Sequence, residues 1–306
     1  MSILKTKFLN IMLEYPTTTA SGILGLTADS MKRVTEFGAG SVTTKSFNIE
    51  ARKGHKGPSI LPFKHGLINA VGLSNPGVEE MIKEIEKFKK ISNRPIFASI
   101  FGRTIDEFGE VAEIVADAQP DLIEVNVSCP NVRSEFGEPF SSSYENTGKI
   151  TALVKKKAGN IPVSIKLAPQ GAHIGKMAMI CKDNGADAVT AINTVGPGML
   201  IDVNVRKPIL SNKTGGVSGP AILPIAVKSI YEIYANADIP IIGVGGVNEA
   251  EDAIQLILAG ASIVGIGSGI YYKGIELFDE VNRGIMKYLQ KHGFNSIDEI
   301  RGAAHE

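Results

Sequence analysis

The feature that most restricts the fold of this sequence is a repeated alternation of short β-branched runs with longer amphipathic stretches. The runs are GSVTTKS (40–46), PIFASI (95–100), DLIEVNVS (121–128), IPVSIKLA (161–168), ADAVTAIN (186–193), IPIIGVGG (239–246) and ASIVGIGS (261–268). Between them, VEEMIKEIEKFKKI (78–91), FGEVAEIVADA (108–118) and AEDAIQLILAG (250–260) repeat their apolar residues at helical period. The last of these closes on a glycine, where helices commonly stop. Strands separated by helices pair in parallel, because the crossover returns the chain to the same end of the sheet. With TTTASG (17–22) as a less obvious first strand, the count reaches eight. Eight βα units in 306 residues favour a closed (β/α)8 TIM barrel, an α/β fold in one domain spanning 1–306, over an open doubly wound sheet.

Three segments break the rhythm. Residues 46–77, 129–147 and 194–220 are rich in Gly, Pro, Ser and Asn without a clear period, and read as loops inserted over the C-terminal face of the strands. Loops of that length in a compact domain commonly act as lids or binding walls, and 129–147 is expected to be a lid.

Composition narrows the function classes. Thirty-two basic and 32 acidic residues give a formal net charge of zero, so no global field attracts nucleic acid or an anionic membrane. Any anion must be bound locally. No apolar run approaches the length that spans a bilayer and the start carries no cleavage pattern, so a cytoplasmic protein is expected. The only cysteines, Cys129 and Cys181, exclude a disulfide framework and are too few for a four-cysteine cluster or structural zinc site. Any iron–sulfur chemistry has to come from another chain.

Chemistry collects at the ends of the expected strands: Ser21, Lys45, Ser99, Asn126, Lys166, Asn193, Gly245 with Gly246, and Gly267 with Ser268. A parallel barrel delivers all these ends to one face. The ring is polar and contains no His and no carboxylate, which gives little support to metal-assisted hydrolysis or paired-carboxylate chemistry. GVGG (243–246) and GIGSG (265–269) let backbone N–H groups approach an anion at the position where many such barrels hold phosphate. Glycine-rich turns also simply make tight corners, but two together beside GGVSG (215–219) favour a phosphate site.

Cys129 stands in NVSCPN (126–131) among Asn126, Ser128 and Asn131, whereas Cys181, in the helical stretch KMAMICKDNGA, fits a core role. A thiolate in such a polar setting can remove a moderately acidic C–H proton. Lys45 and Lys166 end apolar strands, and inward cations there suit an anionic substrate or the charge of a reduced flavin ring. The run Lys155, Lys156 and Lys157 lies on a helical stretch and reads as a solvated face.

At these residues the sequence resembles the catalytic subunit of class 1 dihydroorotate dehydrogenases. The resemblance runs in order through TASG (19–22), GAGSVTTKS (38–46), NAVGLSNPG (69–77), EVNVSCPN (124–131), VSIKLAP (163–169), INTVGPGM (192–199), GGVSGPAI (215–222), IPIIGVGGV (239–247) and GIGSG (265–269). It implies a flavoenzyme that oxidises (S)-dihydroorotate to orotate in UMP biosynthesis, with Cys129 and Lys166 catalytic. FMN is implied to contact Ala20, Ser21, Lys45, Ser46, Asn126, Lys166, Ile192, Gly219, Gly245, Gly246, Gly267 and Ser268. The substrate is implied to be held by Lys45, by Asn69, Ala70, Val71, Gly72 and Leu73, by Asn126 and Asn131, and by Asn193 with Thr194. In the implied mechanism the Cys129 thiolate takes a proton from C5 while hydride leaves C6 for flavin N5, and Lys166 stabilises the reduced ring. Amide side chains suit a cyclic ureide, since each offers both donor and acceptor.

GLSNPG (72–77) and INTVGPGMLIDVNVRKPIL (192–210) resemble the type B, NAD-linked branch. That branch implies a homodimeric core joined by a second subunit, in a heterotetramer, which carries FAD and an iron–sulfur cluster. Two departures stand out: Ser99 occupies a position where the family often has Asn, and RSEFGEPF after Cys129 lacks the paired glycines common in type B. The alternatives are a fumarate-linked type A homodimer, a dihydropyrimidine dehydrogenase type of activity, and a non-redox phosphate-binding barrel. NAVGLSN (69–75) and Lys45 favour a substrate with a carboxylate, and therefore dihydroorotate over uracil or thymine.

Overall fold

The computed structural model describes residues 3–128, 140–169 and 173–305; Cys129, Asn131 and most of the expected lid lie outside them. Eight short parallel strands form one sheet: β1 (Thr17–Thr19), β2 (Val42–Thr43), β3 (Ile96–Ile100), β4 (Leu122–Asn126), β5 (Val163–Leu167), β6 (Ala188–Ala191), β7 (Ile241–Val244) and β8 (Ile263–Ile266). From β2 to β8 each pairs with its sequence neighbours, and β8 pairs with β1. A parallel bridge between Thr18 and Ser41, with Thr43 N–H donating to Thr19 Oγ1 at 2.7 Å, brings β1 against β2 and closes the barrel.

One long helix follows each strand: α1 (Ala28–Glu36), α2 (Val78–Ile91), α3 (Ile105–Asp117), α4 (Tyr144–Ala158), α5 (Ile174–Asp183), α6 (Leu223–Asn236), α7 (Ala250–Ala259) and α8 (Leu277–His292), the last preceded by a short helical turn at Gly269–Lys273. Local chemistry sets their ends. Thr27, Thr104 and Ser143 cap α1, α3 and α4 by accepting a backbone N–H of the first turn, and Glu249 and Asp252 form a reciprocal capping box on α7. Gly260, at φ 126°, ends α7 as its sequence suggests.

Strand alternation sorts side chains into two compartments. Ile96, Ala98, Ile100, Ile123, Val125, Val163, Ile165 and Leu167 face outward into the layer beneath the helices. Phe97, Leu122, Ala188, Ile242 and Ile263 face inward near the N-terminal ends of the strands, and there they meet Phe8, Ile11 and Leu13. Those three come from an antiparallel hairpin, Thr6–Phe8 with Ile11–Leu13, whose alternation buries one face and turns Met12 to solvent. The hairpin plugs the lower mouth of the barrel.

The insertions depart from the expectation of irregular loops. Segments Ile60–Phe63, Gly66–Asn69, Val195–Gly198 and Gly215–Ser218 form one four-stranded antiparallel sheet, in which Asn69 pairs with Gly216 and Leu67 with Ser218. Their Gly and Pro content hides this, because the glycines serve close approach: a Cβ on Gly216 would lie 2.1 Å from Thr194 Oγ1, and one on Gly215 would lie 2.4 Å from the Asn69 carbonyl. Residues 144–147, read as insertion, are the first turn of α4, begun by the Ser143 cap. Among the described residues no helix is long and apolar enough to cross a membrane.

Candidate functional site

The C-terminal ends of the strands and the antiparallel sheet enclose one deep cavity. Every residue implied to contact FMN lines it: Ala20 and Ser21 after β1, Lys45 and Ser46 after β2, Asn126, Lys166, Ile192, Gly219, Gly245, Gly246, Gly267 and Ser268. Asn69, Val71, Gly72, Leu73, Asn193 and Thr194, implied for the substrate, line its outer wall. Ala70 does not. The chain is extended there, so alternate side chains point apart: Ala70 is buried beside Ile68 and Leu210, and its N–H bonds the Ser59 carbonyl at 2.7 Å. Cys129 and Asn131 lie outside the described residues.

A network of amides and hydroxyls fixes the middle of the cavity. Asn126 Oδ1 accepts from Ser128 N–H (3.3 Å), Ser128 Oγ (3.2 Å) and Asn193 Nδ2 (3.4 Å), while Asn126 Nδ2 donates to Ser46 Oγ at 3.3 Å. Asn193 Nδ2 also donates to Ser128 Oγ at 2.9 Å, and Asn193 Oδ1 accepts the Thr194 N–H at 2.8 Å. Each amide is thereby locked in one orientation, which preorganises it for a polar ring.

Beneath the amides lies a buried charge pair. Lys166 is 4% exposed and Glu124, two residues before the end of β4, is 3% exposed. Lys166 Nζ donates to Ser21 Oγ at 2.7 Å and stands 3.7 Å from Glu124 Oε1. Ser99 Oγ donates to the same carboxylate oxygen at 2.9 Å and lies 2.9 Å from Ser46 Oγ. Ser99 was expected at a strand end; β3 continues past it to Ile100, so it sits fully buried below the cavity floor. Glu124 was not singled out from sequence, although LIEVN carries it at an inward-facing position two residues from Asn126. Lys166 also lies inward on the neighbouring strand, and the pairing of Asn126 with Lys166 fixes that register.

The glycine turns serve two purposes. A Cβ on Gly246 (φ 82°) would lie 2.6 Å from Leu223 Cα, so that glycine lets the turn pack on the start of α6. A Cβ on Gly267 would meet only Ala20 Cβ, at 3.4 Å, so its smallness leaves the cavity edge open. Among the described residues, the backbone N–H groups of Gly246 and Gly267 have no hydrogen-bond acceptor, and such unspent donors suit an anionic group.

Cys181 takes the core role its context suggests, whereas of the lysine run only Lys156 is exposed and Lys155 and Lys157 are half-buried in ion pairs. Cys181 is buried between α5 and α4, and burial pushes its thiol up to about 12. Lys155 and Lys157 reach Asp187 and Glu113 at 2.6 and 2.7 Å on the outer helical layer, away from the cavity.

Comparison with known proteins matches residues 3–289 to the family described as dihydroorotate dehydrogenase. The chain is 41% identical over 304 residues to the "Dihydroorotate dehydrogenase B (NAD(+)), catalytic subunit" of Methanothermobacter thermautotrophicus, covering 99% of each. It is 43% identical over 307 residues to the protein of the same description from Methanocaldococcus jannaschii, again covering 99% of each. With that of Pyrococcus furiosus it shares 41% identity over 306 residues and the full length of both.

Proposed function

This chain belongs to the dihydroorotate dehydrogenase family, and from that premise we propose that it is a single FMN-binding domain that oxidises (S)-dihydroorotate to orotate in pyrimidine biosynthesis. The observation that carries the proposal is the buried Lys166 ammonium on the floor of a cavity walled by locked amides and open backbone N–H groups.

The donor set fits a flavin phosphate and ring. Gly246, Gly267 and Ser268 would receive the phosphate, while Lys45, Ser46, Asn126 and Lys166 would border the ring. When bound, FMN would supply the two-electron sink for the pair leaving C6 of dihydroorotate. The chain's own residues do the rest. Asn69, Asn126 and Asn193 present donors and acceptors to the ureide ring and fix its plane. Lys45 and the wall at Val71, Gly72 and Leu73 would take its carboxylate, which separates it from uracil and thymine. Cys129 is the proposed base that accepts the C5 proton, and Asn131 a proposed substrate-binding residue.

The relatives named as B-type catalytic subunits support an electron-transfer partner. We propose that this partner carries FAD and an iron–sulfur cluster and reduces NAD, around a homodimer of this chain in the cytoplasm. The test is a purified chain reconstituted with FMN and titrated with orotate. Saturable perturbation of the flavin spectrum by orotate, and not by uracil, is expected; a response to uracil alone would reassign the substrate. NAD reduction that appears only with the partner subunit, and no fumarate reduction, is the expected acceptor result.

A further inference from the structure

We propose that Glu124 is a positioning residue that balances the charge of Lys166 and through it holds down the reduction potential of the bound FMN; this rests on the reading that FMN lies against Lys166. Lys166 lines the cavity and Glu124 does not, so the carboxylate acts from behind the cation. The two charges are 3.7 Å apart, longer than a hydrogen bond, and each spends its short bond elsewhere. Lys166 donates at 2.7 Å to Ser21, a residue of the cavity wall, and Glu124 accepts at 2.9 Å from Ser99, below the floor. Ser99 thus holds the carboxylate in place and leaves the ammonium's donors free of it.

Both groups are all but inaccessible, so solvent and salt screen their interaction little. A flavin gains negative charge on reduction, and an adjacent cation favours that state. A fixed carboxylate behind the cation opposes it. The pair therefore offers the ring a hydrogen-bond donor and an oriented dipole in place of a full unbalanced charge. For a chain that passes electrons onward, a lower potential keeps the outgoing step favourable. The Ser99–Glu124–Lys166–Ser21 connection runs across β3, β4, β5 and the end of β1, so four barrel elements fix the geometry.

The test is spectroelectrochemical titration of the FMN-loaded chain. Glu124→Gln keeps the volume and an acceptor for Ser99 but removes the charge. Its flavin should be easier to reduce by at least tenfold in the two-electron equilibrium, a positive shift of about 30 mV. Glu124→Asp keeps the charge but withdraws it by one methylene; it should shift the potential in the same direction by less, and it carries the test should Glu124→Gln not fold. A residue of merely structural role would lower the melting temperature and leave the potential where it was. Unmoved potentials in both Glu124 variants would overturn the inference while leaving the flavin reading intact. A chain that binds no FMN would overturn both.

Discussion

The lower and upper halves of the barrel interior are built by the same strands and have opposite character. At the bottom, Phe97, Leu122, Ala188, Ile242 and Ile263 pack against the hairpin residues Phe8, Ile11 and Leu13. Two residues beyond Phe97, Leu122 and Ala188, the same inward faces carry Ser99, Glu124 and Thr190, Lys166 joins them from β5, and the amides of Asn126 and Asn193 stand above them. One side-chain layer separates an apolar plug from a charged and hydrogen-bonded floor. The difference shows where stability and chemistry come from: apolar burial below makes the barrel rigid, and that rigidity lets a buried cation and carboxylate be held at the edge of a cavity.

The largest effect that separates the halves should come from the plug. Phe97→Ala removes a fully buried ring that meets Phe8 and should cost about 3–5 kcal/mol in urea unfolding, while the folded fraction keeps its FMN affinity. A loss of FMN affinity at unchanged stability would break the division. Next, Lys166→Met should slow flavin reduction by dihydroorotate by about 10²–10³-fold, and should also destabilise the chain by stranding Glu124. Adding Glu124→Gln should restore stability without restoring the rate; recovery of both together would mean that the upper half matters only for folding. Asn193→Ala removes the donor to Ser128 and should lower kcat/KM about tenfold, the size of one hydrogen bond. The smallest effect concerns the outer layer: Cys181, its thiol pushed up to about 12 by burial, should resist alkylation near neutral pH until the chain unfolds, with no change in turnover. Rapid labelling of Cys181 in the folded chain would show the layer to be open.

The barrel was legible because each strand is a compact β-branched run whose outward residues must be apolar, and because parallel topology sends every strand end to one face. Lys45, Asn126, Lys166 and both glycine turns followed from that single geometric fact. What stayed hidden depends on pairing at a distance. The antiparallel sheet joins Gly66–Asn69 to Gly215–Ser218, nearly 150 residues away, through glycines chosen for closeness and not for strand propensity. The hairpin Thr6–Phe8 with Ile11–Leu13 shows its alternation in sequence, but nothing there says that it plugs the barrel. Glu124 stands two residues before its strand end, so the convergence of strand ends on one face does not by itself mark it. Reading each run at period two would have set Glu124 beside Lys166 and Ser99 on the inward face.

The measurement that tests the central claim most directly is anaerobic mixing of the FMN-loaded chain with dihydroorotate while the oxidised flavin absorbance is followed. The account predicts bleaching of one flavin per chain with stoichiometric orotate and no need for any partner, since the proposed base Cys129, the cation and the amides all belong to this chain. A flavin that stays oxidised with dihydroorotate in excess, in a chain that has bound FMN, would contradict it.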